Sequence, residues 1–143
     1  MENKIKRHEF LKSLGFKGAS LLAVYCGVSS LSSCKNESVT PSSNVDFSLD
    51  LTTATNSKLN TTGNYVIANG IVIARISSTD FAAVTQVCSH EGRPNVIYNG
   101  SGFYCTVHGA TFSTSGAGTN ANGSRGIQAY KTALTGTSLR IYS

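Results

Sequence analysis

The sequence predicts an all-β fold of antiparallel strands, and three observations carry that prediction. Glycine is abundant at 14 residues, Ser, Thr and Asn recur throughout, and charged residues make up only 13% of the chain. That composition favours short strands and turns over helices. Val45 to Leu51 (V-D-F-S-L-D-L) alternates apolar and polar side chains, the period of a half-buried strand. Asn69-Gly70 stands between two β-rich runs, the strongest short hairpin signal.

Taken in order, the chain opens on a basic segment, K-I-K-R-H-E-F-L-K, followed by an apolar stretch centred on Ala19 to Val28 and then by S-S-L-S-S-C. A charged start, a short apolar centre and small residues at a cleavage point make residues 1–33 a signal peptide. The apolar run is too short to span a bilayer as a settled helix. Leu31-Ser32-Ser33-Cys34 resembles the bacterial lipobox, which implies that Cys34 is lipidated and becomes the first mature residue. Several acyl chains there suffice for stable attachment to a membrane. Arg7-His8-Glu9-Phe10-Leu11-Lys12 resembles a twin-arginine export signal with His8 at the place of the second arginine. That route carries folded cargo; the secretory route for unfolded chains is the alternative. The expected product faces the periplasm or the cell exterior.

Residues 34–44 are polar, with one proline and no apolar period, and read as a flexible tether. The folded domain is expected over residues 45–143. After the Val45–Leu51 strand comes a polar run, T-T-A-T-N-S-K-L-N-T-T-G, read as loop. Tyr65 to Ile76 (Y-V-I-A-N-G-I-V-I-A-R-I) is the hairpin, and Phe81 to Val87 is a further strand. Asn95–Tyr98 and Gly102–Tyr104 flank Asn99-Gly100-Ser101 as a second, smaller hairpin. Ala110 to Thr114 leads away from it, and Ser113 to Gly126 is a loop of small residues. Ile127–Tyr130, Ala133–Leu134 and Leu139–Tyr142 supply the last strands, with Thr135-Gly136-Thr137 as the final turn.

The formal charge of +5 is not a nucleic-acid footprint. Five basic residues and two glutamates before Cys34 leave +3 in the leader, and seven basic and five acidic residues leave +2 in the rest. No basic cluster interleaved with aromatics remains, so no nucleic-acid partner is expected.

The chemistry lies in Val87 to Phe112. Cys88 and His90 are separated by one residue, Cys105 and His108 by two, and fourteen residues lie between the pairs. Thiolate and neutral imidazole both bind borderline-soft metals. Four such ligands suit a tetrahedral zinc site, and equally a [2Fe-2S] cluster in which two histidines replace two cysteines on one iron. A Cys88–Cys105 disulfide, or a chance packing of core cysteines and histidines, are the plainer alternatives. Zinc fingers usually pair cysteine with cysteine and histidine with histidine; here each short segment is mixed, so each can grip both irons of a cluster.

C-x-H followed after about fifteen residues by C-x-x-H resembles the Rieske family, and Gly92 and Gly109 match that family's glycines in C-x-H-x-G and C-x-x-H-G. The resemblance covers roughly residues 65–143. It implies an antiparallel Rieske-type β-sandwich with a small cluster-binding subdomain, and a [2Fe-2S] cofactor. Cys88 and Cys105 would hold one iron, His90 and His108 the other, with the histidine edge facing solvent. The sequence departs from the respiratory branch of the family. Arg93 and Val107 stand where that branch has a clamping disulfide, and Ala110 and Phe112 where it has serine and tyrosine donors to sulfur. Gly123 to Tyr130 replaces its proline-containing cover loop without a proline, which implies a looser cover or one supplied by a partner. Arg125 and Glu91 are expected as solvated loop residues, and Tyr104 as a packing residue.

The resemblance points to one-electron transfer by an exported, membrane-anchored lipoprotein that serves a redox partner protein or membrane oxidoreductase complex. An electron carrier or redox subunit is expected rather than a stand-alone enzyme, because no nucleophile–base pair or second metal motif is present. The other readings are a small subunit of a quinol- or arsenite-oxidising complex and, in a different class, a zinc-stabilised lipid-anchored binding module.

Overall fold

The computed structural model describes residues 41–143. The expected leader, the lipidation residue Cys34 and the tether up to residue 40 lie outside the described residues.

The described residues adopt the expected all-β, antiparallel class. Strands β1 (Asp46–Asp50), β2 (Tyr65–Ala68), β3 (Ile71–Arg75), β4 (Phe81–Thr85), β8 (Ala129–Thr135) and β9 (Ser138–Tyr142) form a six-stranded sheet in the order β1-β9-β8-β4-β3-β2. Strands β5 (Val96–Tyr98), β6 (Phe103–Cys105) and β7 (Thr111–Phe112) form a second sheet in the order β5-β6-β7. The two-residue turn at Asn69 (φ 51°) and Gly70 (φ 72°) puts both residues at positive φ. This conformation matches the twist of the flanking strands and favours an Asn-Gly pair.

Strands β3 and β4 are buried on both faces, which explains their nearly unbroken apolar runs. Ile71, Ile73 and Ala83 point into one core with Val45, Leu51, Leu59, Val66, Tyr130, Leu139 and Ile141. Val72, Ala74, Ala82 and Val84 point into a second core with Cys88, Val96, Tyr98, Phe103, Cys105, Ala110 and Phe112. The large sheet therefore curls around the first core, and its opposite face supports the small sheet.

Three elements differ from the sequence expectation. The polar run after β1 contains a 3-10 turn at Ser57–Asn60 that buries Leu59 completely. The segment after Ala110 does not simply lead away. Thr111 and Phe112 pair with Tyr104 and Phe103 as a third strand of the small sheet. The two short runs after residue 126 merge into the single strand β8, and Ile127 lies before it. Strand β8 changes partner along its length, pairing with β4 through Ala129 and Tyr130 and with β9 from Lys131 onward. This change of partner lets the sheet curl.

The ends of the domain meet. Ser143 N–H donates to the Val45 carbonyl (3.0 Å), and Val45 N–H donates to Ser143 Oγ (3.0 Å). Tyr130 Oη donates to the Ser42 carbonyl (3.0 Å), so the last part of the expected tether rests on the domain.

Candidate metal centre

Strand β4 delivers the chain to Cys88, and strand β6 ends at Cys105. Each cysteine opens a tight loop, and the two loops share one hydrogen-bond frame. Cys88 N–H donates to the Arg93 carbonyl (2.8 Å), and Gly92 N–H donates to the Cys88 carbonyl (2.8 Å). Likewise Cys105 N–H donates to the Ala110 carbonyl (2.8 Å), and Gly109 N–H to the Cys105 carbonyl (3.0 Å). In both, the fourth residue after the cysteine closes the loop in the left-handed region, with φ 70° at Gly92 and 67° at Gly109. Only glycine adopts this conformation without cost. Counted from the cysteines, the glycines are equivalent; the histidines sit two residues on in the first loop and three in the second. The unequal spacings C-x-H and C-x-x-H are thus variants of one backbone shape.

The loops are joined at their roots. Val96 pairs with Cys105 in the small sheet, and Thr106 N–H donates to the Asn95 carbonyl (3.1 Å). That pairing brings the four expected ligand residues into one neighbourhood. Cys88 and Cys105 are buried as free thiols beside each other. His90 and His108 lie exposed at the surface, ring centroids 5.2 Å apart and inclined by 69°. Sulfur sits inward and nitrogen outward.

Burial pushes the Cys88 thiol above its ordinary pKa, and the neighbouring Cys105 adds to that push. The backbone N–H groups of His90 and Glu91 act in the opposite sense by donating to the Cys88 sulfur. Amide donors aimed at sulfur favour its anionic form. Ser89 Oγ is buried and, among the described residues, has no hydrogen-bond partner. A stranded donor beside Cys88 suits a site that supplies a sulfur acceptor. Two paired inner thiols, two outer imidazoles and amides directed at sulfur fit a [2Fe-2S] cluster with mixed ligands.

The site's neighbours correct three expectations. Glu91 is not merely a solvated carboxylate. Its Oε2 lies 3.2 Å from Arg93 Nε and 3.4 Å from His108 Nδ1. Arg125 is exposed but anchored, with Nη2 donating to the His90 carbonyl (2.9 Å). The proline-free cover, Gly123 to Tyr130, is tied down at its start, with Gly123 N–H donating to Asn120 Oδ1 (2.9 Å) and Gly126 N–H to the Gly123 carbonyl (2.8 Å), and just before it Asn120 and Asn122 bind the second ligand loop. Sequence pattern did not single out those asparagines; an asparagine-rich turn among glycines was the available signal. Tyr104 is half-buried and packs, as expected: its ring edge would lie 3.9 Å from a Cβ at Gly109. Ala110 and Phe112 are buried apolar residues of the second core.

Comparison with known proteins agrees with the geometry. The family model for the Rieske [2Fe-2S] domain matches residues 47–131, more than half of the chain. The match reaches further toward the N-terminus than the sequence motifs indicated, taking in most of β1. Among solved structures, the plasma membrane Rieske protein PetC3 from the cyanobacterium Synechocystis PCC 6803 is similar, at 24% identity and a TM-score of 0.46. The similarity covers 51% of this chain and 76% of that one. No curated protein sequence matches this chain.

Proposed function

Because this chain belongs to the Rieske [2Fe-2S] family, we propose that it is a one-electron carrier whose cluster is held by Cys88, Cys105, His90 and His108. When bound, the cluster supplies reversible one-electron chemistry. The Cys88 and Cys105 thiolates would hold one iron and the His90 and His108 imidazoles the other. Neutral imidazoles carry less negative charge than thiolates and raise the potential above that of all-cysteine clusters. The exposed histidine edge is the part of the centre that a redox partner meets first. The observation that carries the reading is the sorting of ligands within one repeated loop frame: thiols buried together, imidazoles exposed together.

The absence of hydroxyl donors at Ala110 and Phe112 bears on the potential. Hydrogen bonds to cluster and ligand sulfur stabilise the added electron. A potential in the lower part of the Rieske span, about −150 to +300 mV, follows from having fewer of them. A redox titration with a midpoint near the top of that span overturns this inference.

The proposal extends to location. Residues 1–33 act as an export signal, Cys34 carries the lipid, and residues 35–44 link lipid to domain. The sequence motifs of the leader support this part. Mass spectrometry of the membrane fraction tests it: the expected species is a chain beginning at an acylated Cys34.

Metal analysis and electron paramagnetic resonance of the reduced protein test the cluster. Two irons per chain and a mixed-ligand [2Fe-2S] spectrum are expected, and His108→Cys lowers the potential. One zinc per colourless chain, undisturbed by His108→Cys, defeats the reading.

A further inference from the structure

Cys88 and Cys105 are free thiols, so no disulfide joins the two ligand loops among the described residues. A third segment bridges them instead. Asn122 Nδ2 donates to the His108 carbonyl (2.7 Å), and Asn120 Nδ2 donates to the Gly109 carbonyl (2.7 Å). Asn120 Oδ1 accepts from Thr111 N–H (3.1 Å) and Gly123 N–H (2.9 Å). Five residues after Asn120, Arg125 Nη2 reaches the other loop and donates to the His90 carbonyl (2.9 Å). One short stretch of chain thus grips the backbone of both histidines.

The stretch is firm enough to act as a brace. Thr119 N–H donates to the Thr111 carbonyl (2.9 Å), fastening it to β7, and Gly126 N–H closes back on the Gly123 carbonyl (2.8 Å). Its glycines mark close backbone approaches. A Cβ at Gly123 would strike the Thr111 carbonyl, and one at Gly118 would strike the Gly123 carbonyl. The small-residue composition serves close packing against the small sheet.

We propose that residues 119–125 form a latch in which Asn122 and Arg125 are positioning residues that hold the two histidine-bearing loops in fixed relation. The bonds go to main-chain carbonyls, so the latch acts on loop placement and leaves the imidazoles free to bind iron. Its consequence for electron transfer rests on the proposed ligand set. Fixed loops keep the amide donors directed at sulfur and keep both histidines in place during a change of charge. Loosened loops shed the cluster faster and lower its potential.

The test uses the full chain, with and without cluster, and the variants Asn122→Ala and Arg125→Gln, singly and together. The Gly92 and Gly109 amides close the two ligand loops and serve as reporters in hydrogen exchange. Amides of β8 and β9 serve as the internal reference. Losing one net hydrogen bond is expected to speed exchange about two- to tenfold, at Gly109 for Asn122→Ala and at Gly92 for Arg125→Gln. The reference amides stay unchanged. In loaded protein, both variants release iron to a chelator faster, broaden the resonance spectrum and lower the midpoint potential. Asn122→Ala is charge-neutral, so its potential shift reports loop placement alone. Arg125→Lys, which keeps the charge and a donor, restores much of the lost protection.

Asn122→Asp keeps the side-chain shape but replaces the donor, and it stands in if Asn122→Ala does not fold. Wild-type exchange at Gly92 and Gly109 in the double variant overturns the latch, and so does iron release at the wild-type rate. Exchange in cluster-free protein judges the latch even if the wild-type chain binds no iron. The latter result overturns the ligand assignment instead.

Discussion

At the residue scale, the centre depends on backbone conformations that few side chains tolerate. Gly109 has φ 67°, while the space where its Cβ would lie is open apart from an ordinary contact with Tyr104. Gly109→Ala therefore isolates a backbone cost of about 1–2 kcal/mol. Thermal unfolding of the cluster-free chain measures it, and Gly109→Asn is expected to cost less. Gly123→Ala fails for a different reason. Its φ is not in the left-handed region, and the conflict is with the Thr111 carbonyl. That substitution should displace the latch and speed exchange at Gly109 while leaving β8 and β9 protected. Cys88 shows how electrostatics enters at the same scale. Burial raises its pKa while two amides oppose the rise.

At the element scale, different parts of the large sheet are stabilised differently. Leu59 lies in the 3-10 turn and is fully buried under β2 and β3. Leu59→Ala is expected to cost about 2–5 kcal/mol, measured by denaturant unfolding. Ile67 in neighbouring β2 is 44% exposed, so Ile67→Ala is expected to cost far less. Strands β1 and β9 carry a different device. Arg140 Nε and Nη2 hold both oxygens of Asp46 at 2.8 and 2.6 Å, and the guanidinium lies 4.9 Å over the Tyr142 ring. The bond from Arg140 holds the Asp46 carboxyl below its usual pKa. A depressed folded pKa stabilises above the unfolded value, about 3.9, and that contribution disappears as pH falls through the folded value. The melting temperature of Asp46→Asn is therefore expected to trail wild type near neutral pH and to converge with it in acid. A constant difference across the range removes the argument. Both side chains are solvent-exposed, so the gap is expected to be small.

At the scale of the whole molecule, β3 and β4 form a wall between two cores, one enclosed by the curled sheet and one shared with the ligand loops. Removing the metal should act on one side of that wall. A group bound only by the folded protein stabilises it by mass action, and the ligand loops bear the loss when it leaves. Hydrogen exchange of iron-free protein is expected to show faster opening at residues 88–92 and 105–109. Protection in β1, β8 and β9 should persist. Uniform loss across both sheets contradicts the division. Acid should affect the large sheet and its loops through other groups as well. Thr52 N–H and hydroxyl bonds lower the Asp50 carboxyl pKa, and Ser77 and Thr79 hydroxyls lower that of Asp80.

Much of this protein is legible in one dimension. The alternation in Val45–Leu51, the Asn69-Gly70 turn and the mixed Cys-His pairs are local patterns, and local backbone rules suffice to interpret them. They fix the strand class, the hairpins and the family. Other features depend on contacts between distant segments. Leu59 is one apolar residue in a polar run, and its burial follows only from the packing of β2 and β3 over it. Thr111 and Phe112 form a strand because β6 offers them a free edge. Asn120, Asn122 and Arg125 are ordinary loop residues until folding places His108, Gly109 and His90 within reach. Side-chain type and spacing determined which atoms are suited to bind iron. The three-dimensional fold decided which side chains grip the loops that carry those atoms, because a hydrogen bond depends on separation in space and not along the chain.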